Sequence, residues 1–224
     1  MDTKRLTLFA GHYGSGKTNV AVNYALRLAG EGKRVCIADL DIVNPYFRTK
    51  DSERELREAG VDLVSPQYAN SNVDLPALPA ESYRLVQDRS TFGIMDIGGD
   101  DRGAYALGRF AELIKKEDDY RMALVVNCYR PLTSTVEDTR LIMREIEDAA
   151  GLKFTCIVNN SNIGEETTPD TVRASLDFIN ELSAVTGLPV WMHTAEKSVA
   201  AELPELCAMP MVLQKKIFDL PDSV

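Results

Sequence analysis

The sequence predicts a three-layer α/β/α fold, doubly wound around a mainly parallel sheet of about seven strands. Three observations carry this expectation. Short apolar runs alternate with amphipathic helical segments along all 224 residues, the pattern of repeated strand–helix–strand units. Strands such as Met122-Ala123-Leu124-Val125-Val126 are apolar without a break, so helices must cover both faces of the sheet. A glycine-rich turn, Gly11-His12-Tyr13-Gly14-Ser15-Gly16-Lys17-Thr18, joins the first strand to the first helix. Open parallel sheets hold their ligands at that carboxyl edge.

Taken in order, strands are expected over 6–10, 34–39, 61–65, 92–96, 122–127, 154–159 and 188–192. Helices are expected over 17–30, 50–59, 80–88, 102–116, 133–149, 169–186 and 196–203. In the first helix Ala21, Tyr24, Ala25 and Leu28 recur at i, i+3, i+4 and i+7, which gives one apolar stripe. Gly30 and Gly32 end it. That helix climbs about 20 Å from the turn, and the second strand returns about as far. The chain therefore comes back level with the turn at Asp39 and Asp41. Residues 66–79, PQYANSNVDLPALP, lack periodicity and read as a long surface loop near the site. With no repeat and no low-complexity linker, residues 1–224 form a single domain.

The charge balance narrows the partners. The net charge of −9 argues against nonspecific binding to nucleic acid or anionic lipid. No apolar stretch approaches a membrane span, and the N-terminus reads as a buried strand rather than a secretory signal. Cys36, Cys128, Cys156 and Cys207 stand alone, without metal-ligand spacing. Buried thiols in a reducing cytoplasm are expected.

The glycine-rich turn fits the phosphate-binding loop pattern G-x-x-x-x-G-K-[ST] at every fixed position. Its glycines let backbone N–H groups turn inward around an anion, and the following helix aims its positive end at the same phosphates. Lys17 would reach the β- and γ-phosphates, and the Thr18 hydroxyl would hold Mg²⁺. The nucleotide contacts expected here are Gly11, His12, Tyr13, Gly14, Ser15, Gly16, Lys17, Thr18 and Asn19.

Two further strand ends carry carboxylates. Asp39 and Asp41 are two residues apart and share one side of an extended strand. Such carboxylates hold Mg²⁺ through water or orient an attacking water; capping the next turn is the structural alternative. The fourth strand, Phe92-Gly93-Ile94-Met95-Asp96, ends in the Walker B manner, with Asp96 as a magnesium carboxylate. Gly98 and Gly99 then allow close approach to the γ-phosphate. After the sixth strand, Asn160 and, second, Asn159 are candidates to read a purine, because a side-chain amide both donates and accepts. A plain Asn-rich turn fits the same letters. The run Asn159-Asn160-Ser161-Asn162 lacks the N-K-x-D pattern that selects guanine, which favours ATP.

The opening GHYGSGKTNVAVNYALRLAGEGKRVCIADLDI, with MDIGGDD and IVNNSN further on, resembles the SIMIBI-class ATPases. These include the cell-division positioning protein MinD, the partition ATPases, nitrogenase iron protein and the cobyrinate amidase family. The resemblance implies ATP and Mg²⁺ as ligands, a protein partner governed by nucleotide state, and a nucleotide-dependent homodimer. It also implies that Lys17 and Asp41 are catalytic, Asp41 positioning the attacking water, and that Thr18, Asp41 and Asp96 serve the metal. One position departs from the pattern. The signature lysine that reaches across the dimer is His12 here, and Arg48 and Arg102 are candidates to supply the missing charge as an arginine finger would. A small-molecule synthetase of the dethiobiotin or cobyrinate type, with residues 66–79 lining its substrate pocket, stays open, as does a nucleotide-gated binding module with little turnover. The amphipathic tail from Met211 to Phe218 is expected to pack on the body rather than on a membrane. His193 and Trp191 are expected in the core, with a place in the base pocket as the alternative.

Overall fold

A computed structural model describes residues 3–40, 49–64, 85–98, 101–117 and 119–213. Eight strands form one sheet: β1 (Leu6–Ala10), β2 (Val35–Leu40), β3 (Asp62–Val64), β4 (Phe92–Ile97), β5 (Tyr120–Val126), β6 (Cys156–Asn159), β7 (Val190–Glu196) and β8 (Met209–Met211). Their order is β3-β2-β4-β1-β5-β6-β7-β8, and every pairing is parallel. The helices are α1 (Lys17–Gly30), α2 (Glu53–Glu58), α3 (Asp101–Gly108), α4 (Ala111–Glu117), α5 (Val136–Ala150), α6 (Pro169–Ala174), α7 (Leu176–Thr186) and α8 (Lys197–Ala201).

The three layers follow from strand alternation. Leu6, Leu8 and Ala10 of β1, Met95 and Ile97 of β4, and Met122, Leu124 and Val126 of β5 point into one core with α3, α4, α5 and α7. Their neighbours Phe9, Ile94, Ala123 and Val125 point the other way, into a second core with α1 and α2. The expected stripe Ala21, Tyr24, Ala25 and Leu28 lies in that second core. Both faces are covered, which is why these strands carry no polar alternation.

The structure departs from the sequence reading in three places. The sheet has an eighth strand, β8, which is not among the expected strands and which takes in Met211, the first residue of the expected amphipathic tail. Residues 214–218 of that tail lie outside the described residues. The helix expected over 102–116 is two helices. α3 stops at Gly108, where an added Cβ would stand 3.3 Å from the Ala149 carbonyl of α5. The chain then turns so that Phe110 is fully buried. The helix expected over 169–186 is also two. Ser175 sits between α6 and α7, and its hydroxyl donates to the Val172 carbonyl at 2.7 Å, a local bond that competes with the helical ladder. Of the helix expected over 80–88, residues 85–88 are described, and 85–87 are helical as expected.

Candidate functional site

β1 delivers the chain at its carboxyl end into the loop Gly11–Thr18, and α1 leaves from Lys17. Gly14 and Gly16 lie in the left-handed region, at φ +79° and +81°. Gly16 is required twice over, because an added Cβ would also run into the Asn160 amide. No side chain caps the α1 N-terminus, so its first N–H groups face the loop without a protein acceptor of that kind. Lys17 and Thr18 are buried there. The Ser15 hydroxyl is buried with no hydrogen-bond partner among the described residues. An uncapped helix end, left-handed glycines and an orphaned hydroxyl suit a phosphate chain. His12 is half-buried, and its Nδ1–H donates to the Tyr13 carbonyl at 2.9 Å.

β2 and β4 are neighbours in the sheet, and Asp39 stands in register with Asp96. Both are on the α1 face, since Ile37 and Ile94, two residues back along each strand, lie in the α1 core. They are 3% and 0% exposed. Thr49, itself fully buried, donates its hydroxyl to Asp96 Oδ2 at 3.1 Å. Among the described residues no group of three or more His, Cys, Asp or Glu side chains could hold a metal. Mg²⁺ is held by few protein ligands together with substrate phosphates. Thr18, Asp39 and Asp96 are the described side chains whose chemistry suits it.

An open cleft of about 530 Å³, counting solvent at its mouth, adjoins the loop. Gly14, Gly16 and Asn19 line one part; Asn160, Asn162, Thr194 and Glu196 supply polar groups; Met211 and Leu213 supply apolar ones. Asn160 thus lies on the cleft. Its Nδ2 donates to the Ser15 carbonyl at 2.7 Å, and its Oδ1 accepts from Thr194 at 2.7 Å. Asn159 is turned inward. Its Nδ2 donates to Ser175 Oγ at 2.9 Å and to His193 Nδ1 at 3.1 Å, and its Oδ1 accepts from the Ser161 N–H. His193 is held by that bond, and burial pushes its imidazole below the ordinary value. Trp191 packs against Phe9, Tyr24 and the Arg121 guanidinium rather than lining the cleft.

Sequence reasoning missed several residues that the fold brings here. β8 reaches the cleft because Asn23 of α1 pairs with the Val212 backbone, accepting its N–H at 2.8 Å and donating to its carbonyl at 3.1 Å. Asn127 is fully buried and knots the ends of β5 and β6, accepting from the Tyr129 N–H and donating to the Asn162 carbonyl. Glu196 Oε2 accepts from the Ser198 hydroxyl and from the Ser198 N–H, and these contacts, the hydroxyl first, hold its carboxylate below its ordinary pKa. No local sequence signal marks the Asn23–Val212 and Asn127–Asn162 pairs, which join distant segments. Of the expected site residues, Asp41 and Gly99 lie outside the described residues, as do Arg48 and the segment 66–79, while Arg102 is described by its backbone alone.

No family model matches the chain, and no curated protein matches it in sequence. Its fold is similar to that of the cell division protein FtsY from Thermotoga maritima. The TM-score is 0.59 and the identity 16%, over 87% of this chain and 62% of that one. FtsY from Mycoplasma mycoides matches at 0.56 and 19% identity, over 86% and 60%. The signal recognition particle 54 kDa protein from Aeropyrum pernix, in complex with GDP, matches at 0.54 and 19%, over 86% and 41%. The chain therefore spans less than two thirds of each of these proteins. With the loop Gly11–Thr18 at the carboxyl end of its parallel sheet, the chain shares the fold of these proteins.

Proposed function

We propose that this chain binds Mg²⁺-ATP, hydrolyses it, and uses its nucleotide state to control a protein partner, in the manner of the MinD-like and metalloenzyme-maturation ATPases. The observation that carries this reading is the uncapped N-terminus of α1 after a glycine-rich loop, at the same carboxyl end of the parallel sheet as the in-register carboxylates Asp39 and Asp96. When bound, Mg²⁺ would neutralise charge on the β- and γ-phosphate oxygens. The loop amides and Lys17 would position the phosphates and stabilise the charge that develops on them. Thr18 would offer its hydroxyl, and Asp96 would be oriented by Thr49. Asp41 is proposed to orient the attacking water, and Gly99 to approach the γ-phosphate.

The cleft beside the loop suits a nucleoside. Asn160 supplies an amide edge, Met211 and Leu213 an apolar surface, and Glu196 an acceptor for an exocyclic amine such as that of adenine. The GDP-bound neighbour makes guanine the obvious competitor. The experiment is equilibrium binding of ATP and GTP with and without Mg²⁺, followed by phosphate release and light scattering. Tighter binding of ATP, slow phosphate release and an ATP-dependent dimer are expected. A preference for GTP would overturn the base assignment. Phosphate transfer to a small carboxylate instead of water would favour a synthetase.

A further inference from the structure

We propose that Arg130 is a phosphate-binding residue of this site, reaching the nucleotide from the same chain that supplies the loop. The inference rests on the reading that the loop binds a nucleotide. Arg130 follows β5, and its Nε donates to the Gly14 carbonyl at 3.0 Å. Its side chain also lies against the open side of Gly14, with Nε 3.7 Å from where a Cβ would stand. It lines the same cleft as Gly14, Gly16 and Asn19.

Three features separate this placement from an ordinary surface arginine. The turn that presents it is tied down: the Asn127 carbonyl accepts from the Arg130 N–H at 3.2 Å and from the Thr133 hydroxyl at 2.7 Å. The Arg130 carbonyl in turn accepts from the Thr133 N–H at 3.0 Å. Second, no carboxylate among the described residues pairs with it, although the chain carries a net charge of −9. Third, only Nε is used on Gly14. The terminal nitrogens of a guanidinium form a planar fork matched to two phosphate oxygens. Anchoring by Nε leaves that fork available at the loop and lowers the entropy lost when it closes on a ligand. A cation so held would supply charge without needing a second protomer, which is the need that the His12 position raises.

The test is titration of the intact protein with ATP, ADP and adenosine in Mg²⁺, comparing wild type, Arg130→Ala and Arg130→Gln at two salt concentrations. Gln retains a donor for the Gly14 carbonyl but carries no charge. Both variants should bind ATP and ADP at least ten-fold more weakly, bind adenosine as wild type does, and differ less from wild type at high salt. Arg130→Gln binding ATP and ADP as wild type does would overturn the proposal, because Arg130 would then only prop the loop. Equal losses for adenosine and ATP would overturn it as well. Wild-type protein that binds no nucleotide would overturn the nucleotide reading itself, a result separate from either of these.

Discussion

Asp39 and Asp96 face each other in register on neighbouring parallel strands, 3% and 0% exposed. Strands in a sheet lie about 4.8 Å apart, so two carboxylates are held side by side on the α1 face. Each charge makes the other costlier to ionise, a cost that a bound cation would relieve. Asp96→Asn should therefore cut the Mg²⁺ enhancement of nucleotide binding by ten-fold or more. Thr49→Val, which deletes the hydroxyl on Asp96 Oδ2, should cut it less, and Thr49→Ser should restore it. Titrating Mg²⁺ against a fluorescent nucleotide checks both. An unchanged Mg²⁺ response in Asp96→Asn would remove Asp96 from the metal site.

Asn23 imitates a strand, pairing with both backbone groups of Val212. Asn23→Ala should cost about 1–3 kcal/mol, because two backbone groups lose their partner. Hydrogen exchange at the Val212 amide should accelerate, and nucleotide affinity should fall as the Met211 and Leu213 wall loosens. Exchange at Val212 as slow as in wild type would show that β8 is held by its pairing with β7 alone.

Gly16 combines a left-handed φ of +81° with the Asn160 amide where a Cβ would be. Gly16→Ala should destabilise the protein by at least about 2 kcal/mol, the backbone strain plus the collision. In combination with Asn160→Ala the total should be smaller than the sum of the two single effects, since the collision is then gone. Urea denaturation of the three variants measures this coupling. Strict additivity would mean that the two residues do not meet.

His193 titrates below its ordinary value because burial disfavours the imidazolium. The unfolded chain takes up this proton near pH 6.5, whereas the folded chain takes it up only at lower pH. The stability it contributes is therefore present above pH 6.5 and is lost as pH falls through the folded value. Protonation would also remove the Nδ1 acceptor used by Asn159. The stability difference between wild type and His193→Gln should change between pH 7.5 and 5.5, wild type losing more. A constant difference across that range would exclude the linkage.

Much of the fold was legible because its signals are local. Continuous apolar strands, the stripe on α1 and the fixed positions of the Gly11–Thr18 loop each sit within a few residues of one another. β8 escaped because three residues, Met209-Pro210-Met211, carry no strand signature, and its place depends on Thr194–Glu196 and Asn23. The break at Gly108 escaped because it is set by a distant partner, the Ala149 carbonyl, while Ser175 bonds both locally, to the Val172 carbonyl, and at a distance, accepting from the Asn159 amide.

By itself, the sequence determined the loop chemistry: which backbone must turn left-handed, where a lysine and a hydroxyl follow, and that strands buried on both faces surround them. Tertiary structure decided which side chains meet there. Asp39 reaches Asp96 only because β4 lies beside β2, Asn160 reaches Ser15 across 145 positions, and Arg130 reaches Gly14 across 116. Periodicity and turn chemistry act through neighbouring residues and are written in order along the chain. Contacts between strand ends are set by the order of strands in the sheet, which the linear sequence does not spell out.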